Sequence, residues 1–343
     1  MGLVSNWIVL VTRNTRMQGL KQRWGTANQA DFLLDAAVDH EVERRRKSRA
    51  KKGISINDDD VDAMIASASA LTDRDAYEEE DQRYQAAVRT VLRDLSGLGF
   101  PVREIDRSYL PNFDFGRCVA VVVLGQDGLV ANVAKYVGDL PVIGVNPDPS
   151  QYDGILLPFQ INEARAAIQR VLKQRHRVDK VTLAEVNTIS GQRMLAFNDF
   201  FVGCKSHTSA RYTLDVQHSR EAQSSSGVLI STGAGATGWM SSIFNMAAGV
   251  SRFAGGGQIR PLTIDRKDRQ LMWTVREPFV SRHSGAEHVM GILNDEDELV
   301  IGSQMPTEGV IFSDGVEDDF IEFNSGNIAT FTVSPQQARL VVG

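Results

Sequence analysis

The segment Cys118-Val-Ala-Val-Val-Val-Leu124 limits the fold more than any other stretch of this 343-residue chain. An unbroken β-branched run has no polar face to turn toward water. It therefore reads as a strand buried on both sides, as in a parallel sheet covered by helices. Gly125-Gln-Asp-Gly128 follows at once, residues 129–137 carry a helical pattern, and Pro141-Val-Ile-Gly-Val145 is the next strand-like run. Strand, helix and strand at this spacing make a βαβ unit, which predicts an α/β, Rossmann-like domain over residues 1–160. Trp7–Thr12 and Val102–Asp106 offer further strands. Residues 84–98, apolar at helical spacing and closed by Gly97 and Gly99, offer a helix.

Past a helix predicted at 162–175 the texture changes. Residues 178–186, 193–201, 210–216, 227–231, 271–275, 298–301 and 328–333 are short β-prone runs separated by Gly, Asn, Asp and Ser turn signals. They predict a β-rich, mainly antiparallel domain over residues 161–343, with a helix inserted at 239–248. The last residues are expected to pack back on the first domain, so the whole is α+β.

Between the first strand and residue 101 the text is mainly helical. Glu43-Arg-Arg-Arg-Lys-Ser-Arg-Ala-Lys-Lys52 holds seven basic residues, and Asp58-Asp-Asp-Val-Asp62 and Glu78-Glu-Glu-Asp81 follow. Opposite charge so close by favours a solvated, charged helical insertion at 43–83 over a nucleic-acid contact. The whole chain agrees: 37 basic against 43 acidic residues give a net charge of −6, without the footprint of a nucleic-acid binder. Two cysteines, Cys118 and Cys204, cannot make a four-cysteine zinc site and argue against a disulfide framework. The longest apolar run falls far short of the ~20 residues that span a bilayer. Met1-Gly-Leu-Val-Ser-Asn6 shows no secretory pattern and fails the myristoylation pattern at Asn6. A soluble, cytoplasmic protein without a membrane partner is expected.

Three segments carry residues suited to chemistry. Leu124-Gly-Gln-Asp-Gly-Leu129 is a glycine-bounded turn at the carboxyl end of a buried strand, where ligands of open α/β sheets bind. Gly125 and Gly128 would let backbone N–H groups approach an anion, and Asp127 would stand at the crevice or serve as a helix N-cap. In Gly227-Val-Leu-Ile-Ser-Thr-Gly-Ala-Gly-Ala-Thr-Gly-Trp239, Gly233, Gly235 and Gly238 satisfy G-x-G-x-x-G. The segment lies in the β-rich half, and no acidic residue follows about 20 positions on at a second parallel strand. A dinucleotide-binding Rossmann turn is therefore not assigned. A nucleotide-contacting loop remains, with Trp239 either a stacking surface for a base or a core side chain. In Ala196-Phe-Asn-Asp-Phe-Phe201, Asn198 and Asp199 interrupt an apolar run, as a turn or bulge does; an amide beside a carboxylate also suits ribose hydroxyls.

Taken together and in this order, the three segments resemble the NAD kinase family. That family has a Gly-Gly-Asp-Gly turn after a strand, an Asn-Glu pair, and a Ser-Thr-Pro-Thr-Gly-Ser-Thr-Ala-Tyr loop. The resemblance spans residues 117–240, includes Pro141-Val-Ile-Gly-Val-Asn146, and extends loosely to Ser313-Asp-Gly315. The departures are Gln126 for glycine, Leu129 for threonine, Asp199 for glutamate, Ser226 for aspartate, Gly233 for proline, Gly238 for alanine and Trp239 for tyrosine.

The resemblance implies an α/β domain joined to a β-rich one, and a kinase using ATP, NAD and Mg²⁺ that assembles as a homo-oligomer. It implies that Asp127 takes or positions the acceptor proton while Gly125, Gln126 and Gly128 face phosphates. Asn198 and Asp199 would contact the dinucleotide. Thr232, Gly233, Gly235, Thr237, Gly238, Trp239 and Ser242 would line the nucleotide site. The expected reaction moves a phosphoryl group from ATP or another donor to the ribose 2′-hydroxyl of NAD. A kinase of a different polyol, sugar or lipid, and a non-catalytic nucleotide sensor, are the alternatives. No P-loop or nucleophile elbow occurs. His283 and His288 lack helical metal spacing, and Asp295, Asp297 and Glu298 read as a solvated acidic turn.

Overall fold

The computed structural model describes residues 6–343 apart from 26, 53–55, 58–59, 66, 68–73 and 218. The opening residues 1–5 and parts of the 43–83 insertion, Asp58 and Asp59 among them, lie outside the described residues.

Strands β1 (Trp7–Thr12), β2 (Val102–Asp106), β3 (Cys118–Leu124) and β4 (Pro141–Asn146) run parallel in the spatial order β2-β1-β3-β4. Helices α1 (Arg16–Trp24), α2 (Ala27–Lys51) and α3 (Arg74–Ser96) lie between β1 and β2, with a further helical stretch at 60–65 among the described residues. Helix α3 begins earlier than the apolar pattern predicts, because its first turns are charged. Its buried residues Tyr84, Ala87, Val88, Val91 and Leu95 recur at helical spacing and pack on Ile8, Leu10, Ala120, Val122 and Ile143. The opposite face of the sheet, with Val9, Val11, Val121 and Val123, is covered by α4 (Asp127–Ala134). Each fully buried valine contributes roughly 1.5–3 kcal/mol, and burial on both faces explains why these strands show no alternation. The helix predicted at 129–137 runs from Asp127 to Ala134 instead, since the Gln126 carbonyl already accepts the Leu129 N–H at 2.9 Å.

The basic end of α2 is a charged, solvated surface. Arg44 and Arg45 pair with Glu41, Lys47 with Glu43 and Arg49 with Asp60.

After β5 (Phe159–Gln160), which pairs with β4, α5 (Ala164–Leu172) adds Ala167 and Ile168 to the α3 side of the core. Strands β6 (Arg177–Thr188), β7 (Arg193–Ala196), β9 (Ala210–Val216), β10 (Ser219–Ser225), β14 (Leu299–Ser303) and β17 (Ile328–Val342) extend the first sheet. A second, antiparallel sheet has the order β13 (Met290–Asn294), β12 (Gln270–Val275), β11 (Val228–Thr232), β8 (Asp199–Cys204), β15 (Gly309–Ser313), β16 (Phe320–Glu322). Phe200, Tyr212, Trp273, Phe323 and Phe331 fill the space between the sheets. Helix α6 (Trp239–Phe253) covers the second sheet from outside, setting Met240 and Phe244 against Leu229 and Met272.

Strand β17 is shared. It pairs antiparallel with β14 and β6, and parallel with β4 at Arg339 and Leu340. The molecule is thus a mixed α/β structure, with a parallel-sheet core and a separate antiparallel sheet. Among the described residues no helix is long and apolar enough to cross a membrane.

Candidate functional site

The β3–α4 turn is built by close approach. Gly125 is buried, and a Cβ there would lie 2.8 Å from Leu129 Cδ2, a contact the leucine side chain would have to shift to relieve. Gln126 occupies the N-cap position, makes no side-chain cap hydrogen bond and is exposed. Asp127 is the first helical residue rather than the N-cap, and its Oδ1 accepts the Leu156 N–H at 2.6 Å. That bond aims the carboxylate toward the loop after β4. On the other side of the sheet the Tyr84 hydroxyl donates to Leu124 O at 2.7 Å and accepts the Arg13 N–H at 3.0 Å. It clamps the carboxyl ends of β1 and β3, where the strand order reverses and a crevice opens. Burial pushes the Tyr84 hydroxyl up to about 12, so it stays a neutral donor.

The run 193–201 is split between the two sheets. The chain leaves the first at Ala196 and enters the second at Asp199, so Phe197 and Asn198 form the crossing. Their backbone is held by Asp314, whose carboxylate accepts the N–H groups of Phe197, Asn198 and Asp199 at 3.1, 2.6 and 3.3 Å. Such a nest of successive N–H groups makes an anion-binding concavity. Asp314 itself has φ of +55° and is followed by Gly315 at +69°, a left-handed turn that carries its carboxylate back into the crossing.

Lys135, at the C-cap of α4, reaches Asp314 at 3.5 Å and Ser313 Oγ at 2.6 Å; the Lys135 and Asp314 side chains are each 1% exposed. Burial pushes the Asp314 carboxyl up and the Lys135 ammonium down, and their mutual attraction opposes both shifts. Asp199 sits beside them, buried. Desolvation and then the Asp314 charge push its carboxyl up to about 7, with Lys135 opposing.

The glycine loop is fastened to this crossing. Thr232 Oγ1 donates to Phe197 O at 2.6 Å and accepts the Gly235 N–H at 3.3 Å. A Cβ on Gly235 would meet Asn198 O at 2.2 Å, and one on Gly233 would meet Asp265 O at 2.2 Å. Only glycine permits these backbone contacts. Trp239 stacks on Phe201 with ring centroids 5.7 Å apart and an 11° interplanar angle, and the Arg276 guanidinium lies 5.1 Å from its ring.

These pieces enclose a cavity of about 800 Å³. Of the residues singled out in the sequence, Asp127, Gly128, Asn198, Asp199, Gly233, Gly235, Thr237, Gly238 and Trp239 line it. Gly125, Gln126, Thr232 and Ser242 do not: Gly125 and Thr232 are buried behind the wall, and Gln126 and Ser242 face outward. Sequence reasoning missed Lys135, the role of Asp314 and the segment Asp265-Arg-Lys267, which completes the wall. The Ser313-Asp-Gly315 triplet was the visible signal for Asp314. The charged segment reads as an ordinary turn. A carboxyl near neutrality and two cations in one apolar-lined hollow, its crossing held rigid by Asp314, can bind a polar ligand and exchange a proton with it.

The sequence matches no family model and no curated protein. Among solved structures, the chain is similar to yeast NADH kinase complexed with NADH, with 14% identity, 99% of this chain and 84% of that chain covered, and a TM-score of 0.52. It is also similar to an NAD kinase from Archaeoglobus fulgidus in complex with ATP, with 17% identity, 74% of this chain and 88% of that chain covered, and a TM-score of 0.48. The chain shares the fold of yeast NADH kinase.

Proposed function

We propose that this chain is a cytoplasmic, homo-oligomeric phosphotransferase that moves a phosphoryl group from ATP or another donor to the ribose 2′-hydroxyl of NAD, forming NADP. The observation that carries this reading is the meeting of the β3–α4 turn, the Asn198–Asp199 crossing and the glycine loop on one cavity. The fold shared with yeast NADH kinase agrees with it. The domain division near residue 160 belongs to the same proposal: the parallel sheet supplies Asp127 and the β-rich half supplies the acceptor pocket.

Phosphoryl transfer asks for positioning and charge stabilisation rather than covalent help from the protein. In this reading Asp127 accepts or orients the proton of the attacking hydroxyl. Its bond to the Leu156 N–H fixes the group's direction while leaving further lone pairs on the carboxylate. Asn198 and Asp199 meet the ribose hydroxyls, and the tight glycine loop brings backbone close to the ligand. Mg²⁺ would arrive with the donor: it is ordinarily held by one or two carboxylates together with substrate phosphates, and Asp127 supplies one such carboxylate. Among the described residues no group of three His, Cys, Asp or Glu side chains is placed to hold a metal.

The test is turnover with an acceptor panel. Purified protein with ATP and Mg²⁺ is expected to convert NAD to NADP. Phosphorylation of a polyol, sugar or lipid in its place would redirect the reading to another kinase. Nucleotide binding without any transfer would make the chain a sensor.

A further inference from the structure

Resting on the kinase reading above, we propose that Arg266 and Lys267 form a phosphate-recognising wall that restricts the acceptor to molecules carrying a phosphate. Both residues line the same cavity as Asp127, Asn198 and Asp199, and among the described residues they are its only lining cations. The other charged lining groups are Asp127, Asp199, Asp265 and Asp314. A hollow with that many carboxylates repels an anionic ligand unless cations offset them locally.

The loop that bears the pair is held in place before any ligand arrives. Thr182 donates its N–H to Arg266 O at 2.9 Å and its hydroxyl to Lys267 O at 3.3 Å. Asp265 Oδ1 accepts the Lys267 N–H at 2.9 Å, which turns that carboxylate into its own loop. One carboxylate, Asp179, serves both cations, at 2.6 Å from Arg266 Nη2 and 2.9 Å from Lys267 Nζ. Two positive charges against one negative leave an excess. A guanidinium has five N–H donors and an ammonium three, more than a single carboxylate can take. The unused donors suit a phosphate or diphosphate, which arginine grips through parallel hydrogen bonds. A neutral polyol or sugar would have no use for this wall.

The test compares the full chain with an Arg266→Gln/Lys267→Gln double variant and with Asp179→Asn. Calorimetry is run with ADP-ribose, which carries the diphosphate, and with adenosine, which does not. The double variant is expected to lose about ten- to a hundredfold in affinity for ADP-ribose, the scale of hydrogen bonds to charged groups, and none for adenosine. Asp179→Asn frees the two cationic side chains from β6 while the Thr182 bonds still hold the loop, so ADP-ribose affinity should hold or rise. An equal loss in Asp179→Asn would make the pair a tether only and overturn the proposal, as would unchanged ADP-ribose affinity in the double variant. NAD phosphorylation with an unaltered KM in the double variant would overturn this proposal and leave the kinase reading standing. Cation-dependent ADP-ribose binding without any NAD phosphorylation would do the reverse.

Discussion

Replacing Asp199 by asparagine should make the protein more stable at alkaline pH, although it alters the middle of the cavity. Asp199 is 7% exposed, and its carboxyl is pushed from an ordinary 3.8 up to about 7 by burial and by Asp314. A carboxyl raised on folding favours the native state while it holds its proton. That stabilisation is fully present below pH 3.8 and is lost as the pH rises through about 7. The gap, at 1.36 kcal/mol per pH unit, sets a ceiling of about 4 kcal/mol on what ionisation costs the native state. Asp199 and Asp314 titrate as a pair, which spreads the loss over two steps. Asparagine keeps the size and cannot ionise. Urea unfolding from about pH 3 to pH 8 should find wild type and Asp199→Asn alike at the acid end, below the ordinary 3.8, and the variant ahead by about 1–4 kcal/mol at pH 8. A variant less stable than wild type at pH 8, or a difference that does not change with pH, would refute the reasoning.

Asp127→Asn should lower turnover by ~10²–10⁴-fold, the usual range for a lost general base, with a circular-dichroism melt close to wild type. A folded variant with normal turnover would remove Asp127 from the chemistry. Lys135→Met should destabilise the fold by about 3–5 kcal/mol, because it strands the Asp314 carboxylate in the interior. Adding Asp314→Asn should recover part of that loss in chemical denaturation, and a fully additive double variant would show that the two groups are uncoupled. Gly233→Ala drives a methyl into Asp265 O, so it should cost about 1–3 kcal/mol and raise the KM for the acceptor. Wild-type stability and KM in that variant would mean that the loop yields freely.

The parts of the molecule that were legible from the sequence are those with one physical job. Strands β1, β3 and β4 are buried on both faces, so nothing in them competes with the β-branched pattern. Strand β10 escaped because it is polar: Ser219-Arg-Glu-Ala-Gln-Ser-Ser225 sits at a sheet edge and, among the described residues, pairs only with β9, so few of its side chains need be apolar. The break at Asn198 and Asp199 was visible as a turn or bulge, but the passage of Phe197 and Asn198 from one sheet to the other escaped for another reason. It is dictated by Asp314, more than a hundred residues on in the chain, and local pattern carries no trace of so remote a partner. The candidate site divides likewise. Glycines forced by close backbone contact advertised themselves, as at Gly233 and Gly235, whereas Lys135 matters because of what it reaches across the interior.

Strand β17 has a consequence for how the chain comes together. Its residues Arg339 and Leu340 close the side of β4, a strand nearly two hundred positions earlier, while its first half completes the sheet with β14 and β6. Until residues 328–342 have been synthesised, the Pro141–Val142 end of β4 is open, β5 covering only Val145 and Asn146, and the antiparallel part of the first sheet lacks the strand to which β14 and β6 pair. Pairing across such sequence separation must first meet a large loop-closure entropy, so the final docking of β17 should be slow and should set the folding rate. During that interval the flank of β4 is a template for any other extended chain, which makes aggregation at this stage the characteristic hazard of the fold.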